Sequence, residues 1–149
     1  MRGFTLIELV LTVALVAIIG TAGTLSLLAV RNRQDVNIAA RTVVATLRDA
    51  QSRAVTGEDA LFWGARFVGP SKSITLFSGS SCASPDLKES RYLKSSLEFQ
   101  DPSVCEKDVC FLKGSGFLSG GADVTITVGV VGNVNVYKTV TIYRNGRID

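Results

Sequence analysis

The chain has 149 residues, with 16 Lys and Arg against 13 Asp and Glu, no His and three Cys. That length suits one helix plus one small domain and excludes two large ones. A net charge of +3 is too weak for a strong nucleic-acid footprint, although a local patch can still steer a polyanion, and the lack of His with only three scattered Cys removes the commonest catalytic bases and zinc-ligand patterns.

Residues 4–30, FTLIELVLTVALVAIIGTAGTLSLLAV, hold a single ionisable side chain, Glu8. As one helix they rise about 40 Å at ~1.5 Å per residue, enough to cross a hydrocarbon core of ~30 Å, so the stretch reads as a membrane helix. Met1-Arg2-Gly3 is too short and too weakly charged for a secretory n-region, and no small-x-small site follows the apolar run. A cut, if made, therefore precedes the apolar segment. A carboxylate in lipid costs roughly 2.5 to 3.5 kcal/mol even on translocon scales, so Glu8 needs a partner. Gly20 and Gly23 each cost up to ~1 kcal/mol relative to Ala; they read either as a soft spot in the helix or as small residues for close helix packing.

A basic leader ending in Gly3, followed by Phe4-Thr5-Leu6-Ile7-Glu8-Leu9, resembles the N-terminal signature of type IV prepilins and type II secretion pseudopilins. The resemblance implies cleavage between Gly3 and Phe4 by a prepilin peptidase and N-methylation of Phe4. It also implies a charge pair for assembly, in which the Phe4 amine of one subunit meets the Glu8 carboxylate of another. Two costly charges then neutralise each other in an apolar setting, and methylation leaves the positive charge in place.

Beyond Arg31, Val36, Ala40, Val43, Leu47, Ala50 and Ala54 recur at spacings of three and four. The helix is expected to continue to about Val55 and to stop before Thr56-Gly57. Its basic residues Arg41, Arg48 and Arg53 read as a solvated face. The pattern then changes to strands. Residues 60–68 and 73–77 flank the turn Gly69-Pro70-Ser71-Lys72 and predict a hairpin, with Trp63 as a core or sheet-packing residue. Residues 78–96, rich in Ser and charge without clear periodicity, read as a surface loop. Short strands are expected at 97–99 and 109–112, a turn-rich connection through Gly114, Gly116, Gly120 and Gly121, and clear strands at 124–128 and 134–143. Asn145-Gly146 is a sharp turn signal ahead of Arg147-Ile148-Asp149.

This body resembles the minor pseudopilins of type II secretion and the related minor pilins. The matching pieces are Arg48-Asp49-Ala50-Gln51-Ser52-Arg53-Ala54, Trp63-Gly64-Ala65-Arg66-Phe67, Cys110-Phe111-Leu112-Lys113-Gly114-Ser115-Gly116 and the terminal Gly146-Arg147. The implied fold is α+β: a long N-terminal membrane-spanning helix packed on an antiparallel β-sandwich-like head. The organisation is then a leader at 1–3, a transmembrane and assembly helix at 4–30, an amphipathic continuation at 31–57 and a β-rich head at 58–149.

A subset of minor pilins linked to natural competence is thought to bind DNA through a C-terminal Gly-Arg-x-Arg motif. The corresponding end here is Gly146-Arg147-Ile148-Asp149, where an acid takes the second basic place and replaces a phosphate contact with repulsion. Arg144 and Lys138 compensate only if they share a face with Arg147, so these three are the candidate DNA contacts. Among the cysteines, Cys105 and Cys110 are near enough in sequence to close a small loop and form the candidate disulfide. Cys82 can instead take either partner, and Cys110 beside Phe111 equally reads as a buried free thiol.

No metal, cofactor or catalytic constellation is expected. Asp86 and Glu89 have no partner base, and the Ser-rich segments lack His. The expected work is that of a filament subunit, anchored in the cytoplasmic membrane by one pass before assembly with its head outside. The positive-inside count is uninformative, with Arg2 on one side and Arg31 and Arg33 on the other, so the orientation rests on the resemblance. The implied partners are other pilin or pseudopilin subunits, the prepilin peptidase, the inner-membrane assembly platform and, for a DNA-uptake pilus, DNA. A minor subunit that primes assembly is the leading reading, with a major shaft subunit and a DNA-binding subunit as alternatives.

Overall fold

The computed structural model describes residues 4–149, with the side chains of 21–26 and of Ala60 outside that description. The expected leader at 1–3, including the cleavage residue Gly3, lies outside the described residues. Two compact units divide the chain, one up to Gln34 and one from Asp35 to Asp149.

Helix α1 runs from Leu6 to Thr56 and passes through Gly20 and Gly23 without a break. The sequence has no Pro before Pro70 to interrupt it, and Gly57, at φ +70°, supplies the left-handed residue that ends it. Its two parts have different surfaces. The described side chains from 4 to 20 and from 27 to 30 are exposed in every direction around the axis. Among the described residues no helix is long and apolar enough to cross a membrane; the 4–30 span expected to do so includes the undescribed side chains of 21–26.

In the second unit, Val36, Ala40, Val43, Leu47, Ala50 and Ala54 of α1 are buried, which is the stripe expected from their spacing, and Ala39 is buried beside them. The exposed side carries Arg41, Arg48 and an i,i+4 pair of Asp49 and Arg53 at 3.0 Å, with Ile38 and Val55 also exposed. Two antiparallel sheets share the stripe's core. The first has the order β3-β2-β1-β5, with β1 at Phe62–Val68, β2 at Ser73–Gly79, β3 at Asp86–Tyr92 and β5 at Glu106–Phe111. The second has the order β4-β6-β7, with β4 at Leu97–Asp101, β6 at Val124–Val130 and β7 at Asn133–Ile142.

The sheets meet at Phe67 of β1 and Phe99 of β4, whose rings stand edge to face with centroids 5.9 Å apart. Such pairs add ~0.5–1.5 kcal/mol beyond the area they bury. A polar clasp joins the sheets elsewhere. Lys107 of β5 pairs with Asp101 of β4 and donates to the Thr125 carbonyl of β6 at 3.1 Å, while the Thr125 hydroxyl donates to Asp101 at 3.0 Å. Trp63 is buried in β1 and its indole N–H donates to the Glu58 carbonyl at 3.2 Å, the packing role its sequence context predicts.

Residues 78–96 are not simply a surface loop, because β3 lies within them and pairs with β2. Every residue of β3 is exposed. A strand with no buried face carries no alternation of apolar and polar residues, so its sequence pattern resembles that of a loop. Its charges suit the edge position: Lys88 pairs with Asp86, and Arg91 with Glu89 at 3.0 Å, which discourages pairing with a further strand.

Candidate functional site

At its N-terminus α1 begins with a capping arrangement. The Glu8 amide donates to the Thr5 carbonyl at 3.1 Å and lies 3.4 Å from the Thr5 hydroxyl, and the Leu9 amide donates to the same carbonyl at 3.2 Å. Thr5 is thus the N-cap and Glu8 the third helical residue, the spacing at which a Thr and a Glu satisfy the free donors of a first turn. The positive end of the helix dipole also favours a carboxylate there. Phe4, 79% exposed, stands just before the cap. Among the described residues no ion pair or side-chain hydrogen bond engages the Glu8 carboxylate, so any cationic partner for it comes from elsewhere.

The other end of α1 is locked to two distant loops. The Gln51 amide donates to the Gly116 carbonyl at 3.0 Å and to the Gly146 carbonyl at 2.8 Å. Both glycines have positive φ, +67° and +82°, and they sit against one another: a Cβ on Gly146 would lie 2.4 Å from the Gly116 carbonyl oxygen and 2.5 Å from the Gln51 amide nitrogen. The helix-end segment 48–54, the segment 110–116 and Gly146-Arg147 are weak signals taken singly. Here they are parts of one junction. Sequence reading does not single out Gln51, because its partners are 65 and 95 residues away and leave no local pattern.

The three candidate DNA contacts are not brought onto one face. Lys138 follows the alternation of Val140 and Ile142 toward the core side of β7, and its amine donates to Asn37 of α1 at 3.3 Å. Residues 147–149 fold back along the end of β7, with Asp149 and Thr141 exchanging backbone hydrogen bonds at 2.9 and 3.0 Å. Ile148 is thereby turned inward, and Arg147 outward over the Tyr143 ring, 4.2 Å from its centroid. Tyr143, and after it Asp149, which pairs with Arg147 at 2.6 Å, hold its guanidinium above the ordinary range. The side chain of Arg144 is exposed in the intervening turn, with its amide donating to Asp123 at 2.8 Å.

Arg66 of β1 is a different kind of group. It meets Asp108 of β5 through two hydrogen bonds of 2.8 and 2.7 Å, with Glu106 at 3.4 Å, and Asp108 raises its pKa. This forked pair fixes strand register and leaves no free charge for a ligand.

The disulfide joins Cys82 to Cys110 with Cα atoms 5.9 Å apart, and Cys105 is free and exposed. The candidate pair Cys105–Cys110 is thereby corrected. Cys110 lies on β5 and Cys105 just before its first residue, so five nearly extended residues hold their Cα atoms roughly 16 Å apart, beyond the ~7 Å limit of a bridge. The loop between β2 and β3 brings Cys82 to Cys110 instead. Among the described residues no group of three His, Cys, Asp or Glu is placed to hold a metal ion.

No protein-family model matches the sequence, and no curated protein matches it. Solved structures do match in fold. The minor pseudopilin EpsH of the Vibrio cholerae type 2 secretion system aligns with a TM-score of 0.59 at 15% identity, covering 77% of this chain and 94% of that one. The type IV minor pilin FimU of Pseudomonas aeruginosa aligns with a TM-score of 0.59 at 19% identity, covering 78% of this chain and 88% of that one. At these identities the likeness is one of fold: a helix and antiparallel sheets arranged as in these two proteins.

Proposed function

We propose that the chain is a minor pilin or pseudopilin, a structural subunit of a type IV pilus or type II secretion filament that primes assembly and contacts partners through its head. The observation that carries this reading is the fold, which two such subunits share over more than three quarters of this chain. Its work is structural, not catalytic.

Two further features support it. A helix apolar on all sides needs lipid or neighbouring helices around it, and the described side chains of 4–20 and 27–30 are exposed all round the axis. They serve first as a single-pass anchor in the cytoplasmic membrane and then as the packing element of the filament. Glu8, at the start of α1 and engaged by no described residue, is the acceptor for the Phe4 amine of a neighbouring subunit once a prepilin peptidase has cut after Gly3 and methylated Phe4. The Cys82–Cys110 bridge suits a head on the oxidising side of that membrane, where the assembly platform lies beneath it.

Production with an active prepilin peptidase tests the reading. Intact-mass analysis should show loss of Met1-Arg2-Gly3 and gain of one methyl group, and a chain still beginning at Met1 would contradict it. Glu8→Leu should insert in the membrane normally yet fail to enter a filament beside wild-type subunits; normal incorporation would sink the charge pair. In sheared filaments the chain should be scarce, whereas shaft-like abundance would make it a major subunit.

A further inference from the structure

A groove of ≈ 500 Å³ separates one side of α1 from β7 within the head. Its helix wall is Arg41, Val44 and Arg48, and its other wall is Lys138, Thr139 and Val140. Consecutive residues of a strand point to opposite faces, so three in a row can line one groove only along the strand's edge. That edge is open. In the second sheet β7 pairs with β6 on one side, and on the other side residues 147–149 pair only with its end, through Thr141 and Tyr143. Among the described residues, no backbone hydrogen bond reaches the free edge between Val134 and Val140.

The charge on the groove is one-sided. Arg41 and Arg48 have no ion pair among the described residues, and Lys138 meets only the neutral Asn37. The acid at the groove's end, Asp149, is already engaged by Arg147. Three cations beside a bare strand edge, with the half-buried Val44 between them, fit an extended chain with alternating acidic and apolar side chains. Its backbone would complete the ladder, its carboxylates would meet the cations, and its apolar residues would cover Val44. The groove's size is that of a small-ligand or short-peptide site. A nucleic-acid duplex would present phosphates to the cations but nothing to the strand edge.

We infer that the groove between α1 and β7 is a docking site for an extended acidic peptide segment of a partner protein, added as a strand to the free edge of β7. The groove belongs to the head alone, so the inference stands whether or not the chain is built into a filament.

The test uses the full chain in detergent micelles and a fluorescein-labelled peptide of four Val-Glu repeats, read by anisotropy. Saturable binding is expected, at least tenfold weaker for the matching Val-Lys peptide and at least tenfold weaker when Arg41→Ala and Arg48→Ala are combined. Lys138→Gln, which retains a donor for Asn37, should weaken binding several-fold, and unchanged Trp63 fluorescence would show that each variant head is folded. Methylating every second peptide nitrogen blocks one edge of the added strand. Of the two alternately methylated peptides, one should lose binding at least tenfold while the other keeps it. Equal binding by both would overturn strand addition. So would no saturable binding at millimolar peptide, or tighter binding of an unlabelled DNA duplex that displaces the peptide.

Discussion

Gly146→Ala tests whether the junction at Gln51 holds the head together. Any Ala at φ +82° is strained by about 1 to 2 kcal/mol, offset by ~0.4–1 kcal/mol from a less flexible unfolded chain. The contacts are the larger effect. The new Cβ would lie 2.4 Å from the Gly116 carbonyl oxygen and 2.5 Å from the Gln51 amide, so either the loop shifts or Gln51 releases both of its hydrogen bonds. Overpacking of this kind costs about 1 to 3 kcal/mol, and unpaired carbonyls cost a similar amount. Gly114→Ala is the matched control, because Gly114 has φ +77° but nothing within 4 Å of the Cβ position. Urea unfolding of a chain beginning at Arg31, followed by the fluorescence of the buried Trp63, should place Gly146→Ala ~2–3 kcal/mol below Gly114→Ala. Two variants within about 0.5 kcal/mol of each other, the scatter usual for surface substitutions, would refute the junction.

Three further outcomes are expected. Gln51→Leu, which removes both donated bonds and keeps an apolar stem, should destabilise the head by ~1–3 kcal/mol in the same assay; a neutral result would mean that water replaces the amide freely. Non-reducing peptide mapping should recover Cys82 linked to Cys110 and Cys105 alkylated, and reduction should cost roughly 3 to 4 kcal/mol for a loop of this length; a Cys105–Cys110 peptide would contradict the bridge. Phe67→Ala should cost ~3–5 kcal/mol, because its ring is fully buried against Phe99 of the other sheet, and a loss under about 1 kcal/mol would show that the two sheets do not share a core there.

The sequence makes legible those parts of the fold in which one face is buried. Val36 to Ala54 at helical spacing and Val124 to Val128 at strand spacing each advertise an inner face, and both elements form where that spacing predicts. β3 is silent for the opposite reason: Asp86 to Tyr92 is exposed throughout, so its strand character rests on backbone pairing with β2 and on charge pairs between next-but-one residues. The junction at Gln51 is silent because it is assembled from positions far apart in the chain. Its glycines look like ordinary turn residues, and only the close approach of Gly116 to Gly146 shows why no side chain fits. The groove cations are a third case. Arg41 and Arg48 read as a solvated face, and nothing in their helix reveals that Lys138, 90 or more residues later, stands across from them.

One helix meets two kinds of surroundings, and its composition changes where they change. From Val36 to Ala54 the buried stripe uses Ala at 39, 40, 50 and 54, small side chains that let the sheets approach closely while Trp63, Phe67 and Phe111 fill the space between. Most of the rest of that half is polar, with Ile38 and Val55 exposed among the polar residues. Among the described side chains before Arg31 there is no stripe: those of 4–20 and 27–30 are exposed all round the axis, and no single partner surface could cover them. Only a medium or a ring of neighbours can do so. Glu8 is the one charge in that surface, and a charge there is tolerable only if something cationic meets it. The described residues of its own chain supply no such cation, and the partner proposed for Glu8 is the Phe4 amine of a second subunit.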